Sequence, residues 1–189
     1  LDAVYRSAGY RVGTYTSPHL VDYGERAKVN GHPSSADRLC QAFQSVECVR
    51  GSIPLTYFEF GTLAALWLFK RAELDAVVLE VGLGGRLDAV NVVDAHVAVV
   101  TSIGIDHQEY LGNTRASVAT EKAGILRHTR PVVSGERDLP DTFVQAVERL
   151  GCQLVQRDRD FTVQVQPDGQ WQLSGEGGVG AARSLLLPP

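Results

Sequence analysis

Cysteine is scarce in this chain, positive charge is not in surplus, and no apolar run is long; each shortage removes a class of protein. Cys40, Cys48 and Cys152 are odd in number and widely spaced, with no C-x-x-C pair. Neither a disulfide framework nor a zinc site is therefore expected, and a reducing, cytoplasmic setting is. Lys and Arg together number 18 against 22 Asp and Glu, a formal net charge of −4 with the basic residues dispersed. That balance argues against a nucleic-acid backbone as partner. The most hydrophobic segment, Leu63 to Phe69, falls far short of the roughly 20 residues of a membrane helix. No signal-peptide pattern opens the chain, so no membrane partner is expected either. G-x-x-x-x-G-K-[ST] is also absent, and the near-match to a dinucleotide fingerprint at Gly82 to Leu87 has Leu87 in place of its last glycine. The nicotinamide reading is weak on that ground, and an ATP-using enzyme must find its phosphate cradle elsewhere.

What remains is a globular composition, 44% hydrophobic and 21% charged over 189 residues, enough to bury a core. Strand-like and helix-like segments alternate. Leu1 to Ala8 reads as the last turns of a helix closed by Gly9, and Tyr10 to Tyr15 as a strand ending in Thr16-Ser17-Pro18-His19. Glu25 to Asn30 reads as a short extended piece closed by Asn30-Gly31. Ser34 and Ser35 can cap a helix to about Val49, with Ser34 and Asp37 in capping-box spacing; Thr56 and Glu59 repeat that spacing before a nearly all-apolar helix to about Ala72. Ala76 to Val81 and Ala95 to Ile103 read as strands, the first buried on both faces. Leu87 to Asn91 reads as a loop. A helix from Asn113 or Thr114 through Gly124, a strand at Pro131 to Ser134 and a helix from Pro140 to Leu150 complete an α/β pattern with a mainly parallel sheet flanked by helices. Beyond Gly151 the pattern changes. Phe161 to Val165 and Gln170 to Leu173 alternate apolar with polar around Pro167-Asp168-Gly169, a small antiparallel β-hairpin, and Gly175 to Gly180 reads as a flexible stretch.

The chemistry concentrates at Glu80 to Asn91. An unpaired carboxylate in a buried strand costs several kcal/mol, so Glu80 belongs at the strand's carboxyl end or beside a cation. Gly82, Gly84 and Gly85 follow, allowing a sharp turn. Ser17, Glu80 and His107 each follow a predicted strand, so one parallel sheet would gather all three on its carboxyl edge. Hydroxyl, carboxylate and imidazole together suit a divalent cation. Spacing alone leaves His107 open between metal ligand and hydrogen-bonded surface residue, since Mg²⁺ prefers oxygen.

Five segments carry a resemblance: Tyr15-Thr-Ser-Pro-His-Leu20, Leu55-Thr-Tyr-Phe-Glu-Phe-Gly-Thr-Leu63, Leu79-Glu-Val-Gly-Leu-Gly-Gly-Arg-Leu-Asp-Ala89, Thr101-Ser-Ile-Gly-Ile-Asp-His107 and Glu121-Lys-Ala-Gly-Ile125. In this order, from about Ala8 to about Gly135, they resemble the folylpolyglutamate synthases, in bacteria also dihydrofolate synthases, within the Mur-ligase-like ATP-dependent amide ligases. Thr16 stands where that family more often has serine. The resemblance implies a P-loop NTPase type of central domain, with residues 1–150 as its α/β core and 151–189 as hairpin and linker. It places the family's P-loop just upstream of the helix ending near Gly9, and its smaller Rossmann-like domain after the linker. The start at Leu1 and the end in Leu-Leu-Leu-Pro-Pro fit the expectation of a fragment.

Position by position, the resemblance implies that Ser17, Glu80 and His107 bind Mg²⁺, with Mn²⁺ as the alternative ion. Lys122 matches the lysine that family members carbamylate, a modification that turns an ammonium into a carboxylate-like ligand; a solvated helix lysine is the structural alternative. Thr56, Tyr57, Phe58, Glu59, Leu87, Asp88 and Ala89 match pterin-contacting segments, although a capping box explains Thr56 and Glu59 equally well. The implied substrates are ATP, L-glutamate, dihydropteroate and folates, and the implied parent is a monomer. ATP phosphorylates the pteroate or folyl carboxylate, and glutamate's amine displaces phosphate from the acyl phosphate. The protein's part is positioning and charge stabilisation. Two alternatives stand beside this reading: another Mur-type amino-acid ligase, or a pterin- or metal-binding remnant without turnover.

Overall fold

The computed structural model describes residues 1–165, 171–175 and 184–185. Two units emerge from its contacts, Leu1–Leu83 with Asp88–Val93, and Gly84–Leu87 with Asp94–Pro189.

The first unit opens with α1 (Asp2–Ser7) and β1 (Val12–Tyr15), whose four residues are all buried. A 3-10 helix at Tyr23–Arg26 leads into a hairpin of β2 (Ala27–Val29) and β3 (His32–Pro33). Then come α2 (Ala36–Arg50), α3 (Tyr57–Lys70), β4 (Ala76–Leu79) and a 3-10 helix at Ala89–Val92. The sheet order is β3-β2-β1-β4, with β1 antiparallel to β2 and parallel to β4. Tyr15, Leu39, Ala42, Val46, Ala64, Ala65, Leu68, Phe69 and Val90 form the core. Small residues on α3 allow close packing: a Cβ at Gly61 would lie 2.6 Å from the Tyr23 hydroxyl.

Four expectations change here. Among the described residues β4 is the edge of its sheet, and Val77 is 46% exposed, so this apolar run is not buried on both faces. Of the two serines expected to cap α2, Ser35 does so, whereas Ser34 is buried and its hydroxyl donates to the Ala27 carbonyl, which removes the Ser34–Asp37 capping box. Glu25 and Arg26 belong to a 3-10 helix rather than to an extended piece, because the Asp22 and Glu25 side chains cap it. Leu87 to Asn91 is not all loop, since Asp88 caps the second 3-10 helix through the Val90 N–H.

The second unit comprises β5 (Ala98–Val100), α4 (Gln108–Leu111), α5 (Arg115–Ala123), β6 (Pro131–Ser134), α6 (Asp141–Arg149), β7 (Gln153–Gln156), β8 (Phe161–Val165), β9 (Trp171–Gly175) and β10 (Ser184–Leu185). β5, β6 and β7 form a parallel sheet in that order. Phe143, Ala146 and Val147 make the buried face of α6. The parallel pairings thus fall in two sheets, one per unit: β1 and β4, which precede Ser17 and Glu80, share one sheet and β5, which precedes His107, belongs to the other, so the expected single parallel edge for all three is not formed; β7 carries the second sheet beyond residue 150. β7 escapes a pattern reading because glutamines bracket Leu154 and Val155. β8 and β9 pair antiparallel as the alternation predicts, with Val163 opposite Leu173. Their Pro167-Asp168-Gly169 connection lies outside the described residues, as does most of the glycine-rich stretch after Gly175. Among the described residues no helix is long and apolar enough to cross a membrane.

Candidate active site

In the first unit the carboxyl ends of β1 and β4 stand side by side, Tyr15 opposite Leu79. The ladder continues one step, the Glu80 N–H donating to the Tyr15 carbonyl at 2.9 Å. Glu80 itself is exposed just past the strand end, so it avoids the burial that would make a lone carboxylate costly. Its Oε2 accepts the Ser17 N–H at 2.8 Å. The remaining Glu80 oxygen and the Ser17 hydroxyl have no hydrogen-bond partner among the described residues. Two hard oxygen donors on adjacent strand ends fit Mg²⁺ or Mn²⁺.

The loop after Ser17 is held by Glu25, whose carboxylate accepts the N–H groups of Leu20, Val21 and Asp22. Those bonds, that of Leu20 foremost, hold its carboxyl below the usual range. Arg26, invisible as a site residue in the sequence, is buried beneath this loop and donates from Nε to His19 Nδ1 at 2.8 Å. Tyr23, whose hydroxyl burial pushes up to about 12, and Tyr57 stand edge-to-face with centroids 6.1 Å apart. Both line a cavity of about 530 Å³ together with Phe43, Leu55 and Phe60.

Among the pterin-segment residues, Thr56 and Glu59 complete a capping box: Glu59 accepts the Thr56 N–H at 2.7 Å and Thr56 accepts that of Glu59 at 3.2 Å. The Thr56 N–H holds the Glu59 carboxyl below its usual range. Tyr57 is 63% exposed, while Phe58 packs on Tyr15 at 5.8 Å between centroids. A Cβ at Gly82 would come within 2.8 Å of the Phe58 ring, so glycine there permits the turn to approach the aromatic. Asp88 folds back on that turn, its Oδ2 accepting from Gly82 and Leu83. Ala89 begins the 3-10 helix behind it.

In the second unit Gly84, Gly85 and Arg86 lie against the end of α5. The Arg86 N–H donates to the Glu121 carbonyl, and its guanidinium pairs with the Glu121 carboxylate at 3.1 Å. Lys122, half-buried, is the next residue, and a Cβ at Gly85 would sit 3.3 Å from its Cα. The glycine turn and the lysine are therefore neighbours, although 37 positions did not connect them in sequence, counted from Gly85 to Lys122. Leu87 is 79% exposed. His107 is exposed at the start of α4 in a left-handed conformation, φ 47° and ψ 49°, which few residues other than glycine adopt. Asp106 accepts its N–H, and the Asp106 carboxylate lies 3.8 Å from His107 Nε2. Ser17 is thus brought to Glu80, and Lys122 to the glycine turn. No three His, Cys, Asp or Glu side chains gather as a metal site among the described residues; the expected set of Ser17, Glu80 and His107 holds only two of those types.

Residues 41–160 match the Mur ligase middle domain. This chain belongs to the Mur ligase middle-domain family. Within the family it is similar to the dihydrofolate synthase/folylpolyglutamate synthase of Escherichia coli (strain K12), with 49% identity over 188 residues, 100% of this chain and 44% of that protein. The structure of E. coli FolC in complex with DHPP and ADP matches with a TM-score of 0.92 at 47% identity, over 99% of this chain and 44% of that one. A bifunctional folylpolyglutamate synthase/dihydrofolate synthase with Mn, AMPPNP and L-glutamate bound matches with a TM-score of 0.89 at 45% identity, over 99% and 45%. The chain therefore spans under half the length of these relatives.

Proposed function

We propose that this Mur ligase middle domain serves an ATP-dependent amide ligase that adds L-glutamate to dihydropteroate, to folates, or to both. The observation that carries the reading is the pairing of Ser17 with Glu80 at the ends of two parallel strands, which leaves two hard oxygens unused. Support comes from relatives that hold DHPP with ADP, and Mn with AMPPNP and L-glutamate. In this reading residues 1–150 act as part of the ligase's central domain, with 151–189 as hairpin and linker, and the active parent is a monomer.

Ser17, Glu80 and His107 hold Mg²⁺ or Mn²⁺, and Lys122, once carbamylated, adds a further anionic group. The bound ion supplies charge neutralisation between the phosphates of ATP and the acceptor carboxylate. Glu80 contributes its free oxygen while its other oxygen stays fixed by the Ser17 amide. Phe58, Tyr57 and Leu87 offer ring faces and apolar surface for a pterin. Asp88 shapes the turn that carries Leu87 and Ala89. Glu59 and Thr56 act mainly by capping α3, which aims Tyr57 and Phe58. No residue of this chain supplies a G-x-x-x-x-G-K-[ST] cradle, so the β- and γ-phosphates are held by residues outside it, and the 189 residues alone are expected to show no turnover.

The test is glutamate ligation by the full-length protein, followed by product mass and phosphate release with ATP, Mg²⁺, L-glutamate and dihydropteroate or tetrahydrofolate. Glu80→Gln, His107→Ala and Lys122→Ala should each lower turnover at least a hundredfold, and Glu80→Gln should weaken Mn²⁺ binding. Wild-type turnover in Glu80→Gln, or ligation of a different amino acid in preference to glutamate, would overturn the proposal.

A further inference from the structure

Arg26 is a buried cation for which the proposed reaction names no task. It is only 8% exposed, and no carboxylate pairs with it among the described residues. Its guanidinium carbon lies 5.6 Å from the Tyr23 ring centroid and 5.4 Å from that of Tyr57, so cation–π attraction offsets part of its desolvation. Its Nε donates to His19 Nδ1 at 2.8 Å, and its carbonyl accepts the Thr16 N–H at 2.9 Å. One residue thus grips the chain on both sides of Ser17 and Pro18, by its main chain before them and by its side chain after them.

We propose that Arg26 is a positioning residue that, through His19 and Thr16, holds the Ser17 hydroxyl in place beside Glu80. The loop's other ties are the Ser17 N–H to Glu80, the His19 ring against Tyr23 at 5.7 Å and the three N–H bonds to Glu25. Leu20 and Val21 are 89% and 90% exposed, so packing contributes nothing there, and the far end depends on the Glu25 carboxylate. The Ser17 hydroxyl has no tether of its own, and its place is set by the backbone on either side. An arginine suits the role because its planar, permanently charged fork can stack on tyrosine and still direct one N–H; a lysine ammonium has no such geometry. Accepting at Nδ1 also fixes His19 in the tautomer that carries its proton on Nε2. The consequence for catalysis rests on Ser17 being a metal ligand, whereas the clamp itself does not.

Two measurements on the full-length protein separate those claims. Amide hydrogen exchange over residues 17–22 reports the clamp. Arg26→Gln and His19→Leu should speed it at least tenfold with α3 exchange unchanged, while His19→Asn, which keeps an acceptor at the δ position, should restore near wild-type protection. Arg26→Lys should not. Mn²⁺ titration reports the consequence: affinity should fall about tenfold in His19→Leu and recover in His19→Asn. Because Arg26 is buried, His19→Leu decides the matter if Arg26→Gln fails to fold. Unchanged loop exchange in folded His19→Leu overturns the proposal, as does equal loss in His19→Leu and His19→Asn. If the wild type takes up no Mn²⁺ while the exchange pattern holds, the metal reading fails and the clamp stands.

Discussion

Asp88 Oδ2 accepts the Gly82 N–H at 2.9 Å and the Leu83 N–H at 3.0 Å, while Oδ1 accepts that of Val90 at 3.0 Å. One carboxylate therefore closes the turn after β4 and starts the helix that follows, so this aspartate first shapes the backbone and only through it reaches a ligand. Asp88→Ala leaves three backbone donors without their acceptor and should cost about 1–3 kcal/mol. Asp88→Asn, which retains one carbonyl acceptor, should cost less. Urea unfolding monitored by circular dichroism checks the order; equal stability of wild type and Asp88→Ala would refute it.

The next expectation concerns the glycines that follow. Gly84 has φ +67°, and a Cβ there would meet Leu111 Cδ2 at 2.7 Å; at Gly85 it would meet the Glu121 carbonyl oxygen at 2.9 Å. Backbone preference opposes alanine at the first position, and the fixed end of α5 opposes it at the second. Each alanine should therefore destabilise by more than about 1 kcal/mol. Gly9, also at positive φ but with open space around it, should show the backbone effect alone. Thermal unfolding midpoints of the three alanine variants provide the comparison.

Acid sensitivity follows from the loop and cap carboxylates. Glu25 is held below its ordinary value of 4.5 chiefly by the Leu20 N–H, and Glu59 below 4.5 chiefly by the Thr56 N–H. A carboxyl depressed on folding adds stability that is complete above the unfolded value and is lost as pH falls through the folded one. Melting temperature should therefore hold steady down to the region of the ordinary carboxylate value and then decline. Glu25→Gln and Glu59→Gln should each lower stability at neutral pH and flatten that decline. An unaltered pH profile in both variants would show that these bonds contribute nothing in solution.

Local signals in the sequence determined the elements whose boundaries are set by neighbouring residues. The Thr56–Glu59 box starts α3 because both partners lie within one helical turn, Thr114 starts α5 in the same way, and alternation in Phe161 to Val165 and Gln170 to Leu173 marks β8 and β9 because side-chain direction repeats every two residues. Glu80 at a strand end and three glycines after it were likewise legible, since a charge and a turn cannot both sit inside a buried strand. What the tertiary structure decided involves partners beyond the reach of a single helical turn or strand. Ser34 turned out to satisfy the Ala27 carbonyl rather than cap α2. β4 became an edge strand because only β1 pairs with it among the described residues, although its apolar run read as central. β7 joined a parallel sheet despite its glutamines, because backbone pairing with β6 asks little of side chains. Arg26 carried no motif at all: its role arises only when the β2 hairpin folds it beneath His19, 7 positions upstream, since burial of a charge and the direction of one N–H are properties of packing that no local pattern encodes.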